Sequence, residues 1–84
     1  MNYRVDIIPS AEKDLDKLPS RVHDRISARI LSLEENPRQT GTKKLSGREQ
    51  YRLRVGDYRV LYTIDDASKS VRVVGVAHRR EAYR

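Results

Sequence analysis

Three arginine residues in the second half of this chain have a spacing that suits phosphate binding. Arg52 and Arg54 are two residues apart, and Arg59 follows them after the turn-forming pair Gly56-Asp57. Successive side chains of a strand point to opposite faces, so this spacing predicts that the three guanidinium groups share one face of a sheet as partly solvated charges. Guanidinium groups bind phosphate oxygens through charge-assisted hydrogen bonds. The spacing therefore indicates a surface for a polyanionic partner such as nucleic acid.

The last residues of the chain add a second group of candidates. His78, Arg79, Arg80 and Tyr83 follow directly on an apolar run, so they are expected at the end of a strand. They bring two cations, an imidazole and a phenol close to the arginine residues of the sheet. We expect residues 79–84 either to continue as a short helix or to form an ordered tail.

Two lysine residues lie in the segment 38–50, which contains Gly41 and Gly47 and few apolar residues. This composition predicts a loop that crosses back to the sheet. Lys43 and Lys44 then have two explanations. They are solvated loop residues, or they extend the phosphate-binding surface of the sheet.

Strands are predicted where apolar and polar residues alternate. Three such runs, residues 51–55, 58–64 and 71–77, are separated by short polar segments and predict a three-stranded antiparallel meander. Residues 3–8 predict a first strand. On any half-solvated strand such alternation also has an ordinary explanation, which we accept for Arg4 and Arg72.

Two helices are predicted between the first strand and the meander. Ser10 is a candidate cap for the first helix, which Pro19 ends. Ser20 is a candidate cap for the second, which reaches about Glu35 before Asn36-Pro37. The stripe of Val22, Ile26, Ile30 and Leu33 in the second helix is expected to cover one face of the sheet. The order β-α-α-β-β-β predicts an α+β fold with its helices on one side of a mainly antiparallel sheet.

Composition limits the classes of function. The chain has 84 residues, which predicts a single domain over residues 1–84, and its net charge is +6. It has no cysteine and two histidines without metal-ligand spacing, so we expect no disulfide, no metal and no cofactor. No apolar run predicts a membrane span or a signal peptide, which favours a cytosolic protein without a membrane partner.

Most hydrolytic chemistries lack their motifs here. There is no G-x-S-x-G segment for a serine nucleophile and no phosphate-binding P-loop. Metal-independent RNA cleavage needs neither motif, because the ribose 2′-OH is the nucleophile. The protein then has to orient it, move protons and stabilise the charge that grows on the phosphate.

Three segments in order, KKLSG, YRLRVGDYRVLY and HRREAY, resemble the RelE family of toxins within the RelE/ParE superfamily. The resemblance covers nearly the whole chain and implies a RelE-like fold. It also implies cleavage of messenger RNA in the ribosomal A site, which inhibits translation. The implied partners are the ribosome with its messenger RNA and a cognate antitoxin, and the toxin-antitoxin pair is expected to bind its own promoter DNA.

The resemblance also implies roles for single residues. Arg59 and Arg79 match the family arginines that contact the scissile phosphate, and Tyr83 matches a tyrosine that stacks on or orients a nucleotide. Arg52 and Arg54 stand where the best-known family member has lysines. Because arginine stays protonated in proteins, Arg52 and Arg54 are candidates for phosphate binding rather than for proton abstraction. Lys43, Lys44 and Arg80 are further candidates for binding RNA through their charge.

The departure from lysine makes His78 the leading candidate for acid or base catalysis. The alternative is a histidine at a strand end that only forms a hydrogen bond. Two other functions also stay open for the whole chain. One is a ParE-like toxin that inhibits DNA gyrase, and the other is an inactive module that binds an antitoxin or nucleic acid.

Overall fold

The computed structural model describes residues 2–45, 47 and 49–79. It consists of one five-stranded sheet with two helices on one of its faces. The elements in chain order are β1 (Arg4–Ile7), α1 (Pro9–Asp16), α2 (Ser20–Ser32), β2 (Thr42–Lys44), β3 (Tyr51–Val55), β4 (Tyr58–Asp65) and β5 (Ser70–His78). The strand order across the sheet is β1-β5-β4-β3-β2, with β1 parallel to β5 and the other pairs antiparallel. This is the predicted α+β class. Neither helix of the described residues has the length and apolar character to span a membrane.

The hydrophobic core lies between the helices and one face of the sheet. Ile26, Ile30 and Leu33 are buried there and Val22 packs at its margin, so the predicted apolar stripe of α2 is confirmed as core. The sheet contributes the alternate residues of its strands: Leu53, Val55, Val60, Tyr62, Val71, Val73 and Val76. The other face of the sheet has no helix over it among the described elements.

The predicted meander is confirmed. β3 has the predicted bounds, β4 is one residue longer, and β5 is one residue longer at each end. Gly56 has a φ of 60° in the two-residue turn between β3 and β4, a conformation that glycine adopts without a steric penalty.

Both predicted helix caps are wrong. α1 begins at Pro9 with Ile8 as its N-cap, and α2 begins at Ser20 with Pro19 as its N-cap, each without a side-chain cap hydrogen bond. Proline suits the first turn because it has no N–H to satisfy and a φ that fits a helix. α2 also ends at Ser32, before the predicted Glu35.

The predicted loop over residues 38–50 contains a short strand. Thr42, Lys43 and Lys44 pair with Leu53, Arg52 and Tyr51 of β3. These residues do not alternate in the way that marks a strand in the sequence. They form a strand because their backbone groups make hydrogen bonds to the free edge of β3, and that edge exists only in the folded sheet.

Candidate nucleic-acid interface

The arginine face is the sheet face that carries Arg52, Arg54 and Arg59, opposite the two helices. Arg54 is the direct partner of Arg59, and Arg52 is the partner of Leu61, the next residue of β4 on the same side as Arg59. Direct partners in an antiparallel pair have their side chains on one face. The three arginines therefore lie together, as their spacing predicts.

The three guanidinium groups differ in their exposure. Arg54 is exposed and Arg52 is half-buried, whereas Arg59 is only 5% exposed. The expectation of a partly solvated Arg59 was wrong, because β4 is a central strand and β3 and β5 flank this residue on both sides. A charge that is shielded from water interacts more strongly with a nearby phosphate than an exposed one does.

A bulge in β5 decides which of its residues reach the arginine face. Leu61 pairs with Gly75 and Tyr62 pairs with Val73, which leaves Val74 without a partner in β4. An extra residue of this kind reverses the alternation of side chains beyond it. Before the bulge the odd-numbered Val73 faces the helices, and after it the even-numbered residues do.

Arg79 consequently joins the arginine face. Its backbone N–H donates to the Asp57 carbonyl oxygen at 2.7 Å, so the register of Arg59 with Ala77 continues past the end of β5. Asp57 lies two residues before Arg59, which places Arg79 diagonally across from Arg59 on the same side of the sheet. Arg79 is exposed there.

His78 lies on the other face. It is the direct partner of Tyr58, and the two rings meet edge to face with centroids 5.2 Å apart and an interplanar angle of 84°. With Asp14 and Lys17 of α1 it lines a cleft of about 200 Å³ on the helix side. The structure does not bring His78 together with Arg59, and its acid or base role stays a prediction.

The two lysines of β2 also lie on opposite faces of the sheet. Lys43 is the partner of Arg52 and extends the arginine face towards the edge of the sheet. Lys44 is the partner of Tyr51 on the opposite face, and its Nζ lies 3.8 Å from a carboxylate oxygen of Glu49.

Two of the sequence candidates, Arg80 and Tyr83, lie outside the described residues. Within residues 2–45, 47 and 49–79, no three histidine, cysteine, aspartate or glutamate side chains are grouped so that they could hold a metal ion.

Arg72 also lies on the arginine face, although its strand position suggested only an ordinary solvated residue. It is the partner of Thr63 in β4, which alternates with Leu61 and Arg59 on that side. The bulge hides this relationship in the sequence, because Arg72 precedes it and Arg79 follows it.

A second charged cluster joins surface segments at the end of the sheet where β4 turns into β5. The Asp66 carboxylate accepts two hydrogen bonds from Arg38, at 3.1 and 2.9 Å, and one from the Tyr3 hydroxyl at 2.7 Å. These bonds lower the pKa of Asp66 to about 2. The Arg38 guanidinium also lies over the Tyr51 ring, 5.4 Å from its centroid. No sequence pattern indicates this cluster, since its members are far apart in the chain.

The known proteins that this chain resembles in sequence and in fold are toxins. Residues 5–83 match the family described as ParE toxin of type II toxin-antitoxin system, parDE. The toxin RelE of Mycobacterium tuberculosis is 33% identical over 84 residues, which cover 98% of this chain and 87% of that protein. A chain of the RelBE2 toxin-antitoxin complex of the same organism superposes with a TM-score of 0.84 and 32% identity, over 94% of this chain and 100% of that chain. The archaeal RelE-RelB complex of Pyrococcus horikoshii gives 0.82 and 33%, over 94% and 97%.

Proposed function

This chain belongs to the ParE toxin family of type II toxin-antitoxin systems, and we propose that its toxic activity is cleavage of messenger RNA in the ribosomal A site. It is a RelE-like toxin in sequence and in fold. The observation that carries the proposal is the joint presence of Arg54, Arg59 and Arg79 on one face of the sheet.

The chemistry follows from what guanidinium groups do. The ribose 2′-OH loses its proton and attacks the adjacent phosphorus atom, the bond from phosphorus to the 5′-oxygen breaks, and that oxygen takes up a proton. Negative charge grows on the phosphate oxygens during this step. The buried Arg59 and the exposed Arg54 and Arg79 stabilise that charge by charge-assisted hydrogen bonds. Lys43 and Arg52 bind phosphates further along the RNA. Tyr83 is expected to stack on or orient a nucleotide, as the family resemblance implies.

Dependence on the ribosome is the second part of the proposal. The imidazole of His78 is on the helix side of the sheet, so the arginine face offers charge stabilisation more readily than proton transfer. An enzyme with this balance benefits when the RNA is already held in the bent geometry that aligns the 2′-OH with the phosphorus atom. The ribosome with its messenger RNA supplies that geometry.

The decisive experiment measures cleavage on programmed ribosomes and on the same messenger RNA free in solution. We expect cleavage at the A-site codon on ribosomes and little cleavage of free RNA. The matched variants are Arg54→Ala on the arginine face and Arg21→Ala, which removes the same charge from an exposed position of α2. Efficient cutting of free RNA without gain from ribosomes, or equal loss in both variants, contradicts the proposal.

A gyrase-directed toxin is the competing function, and the family description that names ParE favours it. The same purified protein is therefore tested for inhibition of DNA supercoiling by gyrase. Inhibition of gyrase together with intact ribosome-bound messenger RNA would assign the ParE-like activity.

We further propose a cognate antitoxin as the partner, because the structural relatives are toxin-antitoxin complexes. An acidic segment of that antitoxin is expected to cover the arginine face, since the chain carries a net charge of +6. The pair is expected to bind its own promoter DNA through the antitoxin. Co-expression with the product of the adjacent gene should restore growth and yield a stable complex, and unchanged toxicity without a complex would refute this partner.

A further inference from the structure

The first part of β5 has a neighbouring strand on each side, whereas the last part has a strand only on the β4 side among the residues that the structure describes. β1 ends at Ile7, the partner of Val73, and the Ile8 N–H makes a last bond to the Val73 carbonyl oxygen at 3.1 Å. Beyond this point α1 takes the place of β1. The carboxylate Oδ2 of Asp14 accepts a hydrogen bond from the Val76 N–H at 3.2 Å.

This bond is made beside the bulge. Val74 has no partner in β4, whereas the next two residues, Gly75 and Val76, both pair with β4. A Cβ built at Gly75 would lie at ordinary van der Waals distances from two side chains, 3.8 Å from Leu61 Cδ1 and 4.0 Å from Asp14 Oδ2. The Asp14 carboxylate therefore lies beside the strand at the position where its register changes.

The register beyond the bulge determines the composition of the arginine face. With the bulge, Arg79 shares a face with Arg59 and His78 faces the helices. A shift of the β4–β5 pairing by one residue would exchange the faces on which Arg79 and His78 lie, because successive side chains of a strand alternate. Strict alternation from Val73 onwards would direct Arg79 towards the core and His78 towards the RNA.

We propose that Asp14 is a positioning residue: its hydrogen bond to the Val76 N–H holds the β5 bulge and so keeps Arg79 on the arginine face. The effect on cleavage rests on the proposed function. The effect on register does not, because it is a property of the fold.

The register is tested by nuclear magnetic resonance on the whole chain. Asp14→Ala removes the acceptor, Asp14→Asn keeps an oxygen that accepts the same hydrogen bond, and Asp16→Ala removes a carboxylate from an exposed position of the same helix. We expect cross-strand contacts between Val60 and Val76 in the parent, in Asp14→Asn and in Asp16→Ala, and their loss in Asp14→Ala. Retention of these contacts in Asp14→Ala overturns the proposal.

The parent protein gives a test that needs no variant to fold. The Val76 amide should exchange with solvent as slowly as amides inside the sheet, although no strand of the described part of the chain lies beside it on that edge. Fast exchange at Val76 would overturn the role of the Asp14 bond.

The consequence for the site is measured by cleavage on programmed ribosomes. Asp14→Ala should lower the rate on the order of 10- to 100-fold, as expected when a charge-stabilising group is displaced. Arg79→Ala should then reduce the rate much less in the Asp14→Ala protein than in the parent, whereas Arg54→Ala should reduce both by the same factor. Independent, multiplicative effects of Asp14→Ala and Arg79→Ala overturn the proposal. A parent protein without ribosomal activity refutes the proposed function instead, and the magnetic resonance arm still decides the role of Asp14.

Discussion

At the scale of single residues, exposure separates arginines that look equivalent in the sequence. Arg54 and Arg59 are direct partners, yet one is exposed and the other is 5% exposed. An exposed charge contributes little to the free energy of unfolding, whereas a buried charge has been taken out of water at a large desolvation cost. Substitutions at the two positions should therefore differ in their effect on stability even where their effect on activity is alike.

Arg54→Ala should separate activity from folding. We expect the cleavage rate on ribosomes to fall on the order of 100-fold, as when one donor to a developing negative charge is removed. The free energy of unfolding should change by less than about 1 kcal/mol. Denaturant unfolding and ribosomal cleavage measure the two quantities. A folded variant that cuts at the rate of the parent would show that Arg54 is not part of the site.

Arg59→Met is the informative substitution at the buried position. Methionine keeps an unbranched apolar chain and removes the charge. We expect a protein that still unfolds cooperatively in denaturant, with cleavage reduced about 100-fold or more. A variant that kept parental activity would show that the guanidinium group has a structural role only.

His78→Gln tests the predicted acid or base. General acid-base catalysis usually contributes about 100-fold or more, so a catalytic imidazole would be evident from a loss of that size. Because His78 lies on the helix side of the sheet, we expect a loss of less than about 10-fold, and a cleavage rate of the parent that is flat between roughly pH 5 and 8. A large loss of the cleavage rate, together with a parental rate that changes with pH in that range, would support an acid or base role for His78.

At the scale of elements, Tyr62 of β4 fixes the segment that leads into β2. Its ring is fully buried and stacks on Tyr51 at a centroid distance of 5.9 Å. Its hydroxyl donates to the Pro37 carbonyl oxygen at 2.6 Å and lies 3.1 Å from the Thr42 hydroxyl. The chain is thus anchored on both sides of Gln39, and β2 with Lys43 is held at the edge of the sheet.

Tyr62→Phe should loosen this segment and change the response to alkali. Loss of the donor to a buried carbonyl costs about 1–3 kcal/mol. Burial also raises the pKa of the Tyr62 hydroxyl, so the folded state favours its protonated form. That part of the stability is complete below the pKa of an unfolded tyrosine, about 10, and is lost as the pH rises through the folded pKa. The urea midpoint of the parent should fall above about pH 10 more steeply than that of Tyr62→Phe; parallel curves would contradict this.

At the scale of the whole molecule, the arginine face and the Asp66 cluster have different electrostatic roles. The arginine face is the cationic surface that we propose binds RNA. In the Asp66 cluster, the carboxylate in the β4–β5 turn accepts hydrogen bonds from Tyr3, near the start of the chain, and from Arg38, in the segment before β2. The cluster therefore links distant segments of the chain.

Asp66→Asn should remove an acid-sensitive part of the stability. The pKa of Asp66 is about 2 in the folded protein, below its ordinary value near 4. The stability that the carboxylate contributes is therefore present above about pH 4 and is lost as the pH falls through about 2. Between these values the urea midpoint of the parent should fall more steeply than that of Asp66→Asn. Glu35→Gln, at an exposed position, is the control and should behave like the parent.

The sequence by itself determined the first strand, the three strands of the meander, the two helices and the grouping of Arg52, Arg54 and Arg59. Each of these follows from a local pattern: alternation for strands, helical spacing for the stripe of α2, and a short turn that sets the register of β3 with β4. Such patterns act between residues that are close in the chain, and they are therefore legible without the fold.

Only the tertiary structure decided which residues of β5 join that group. The pair Val73-Val74 followed by Gly75 interrupts the alternation of VRVVGVAH, but which residue is the extra one depends on the pairing with β4, and the acceptor beside it, Asp14, lies 62 residues from Val76 in the chain. The burial of Arg59, the parallel pairing of β1 with β5 and the short strand β2 have the same origin, because each depends on neighbours that only folding supplies. A single extra residue in a strand reverses every side chain after it, and this is the physical reason why Arg79, and not His78, reaches Arg59.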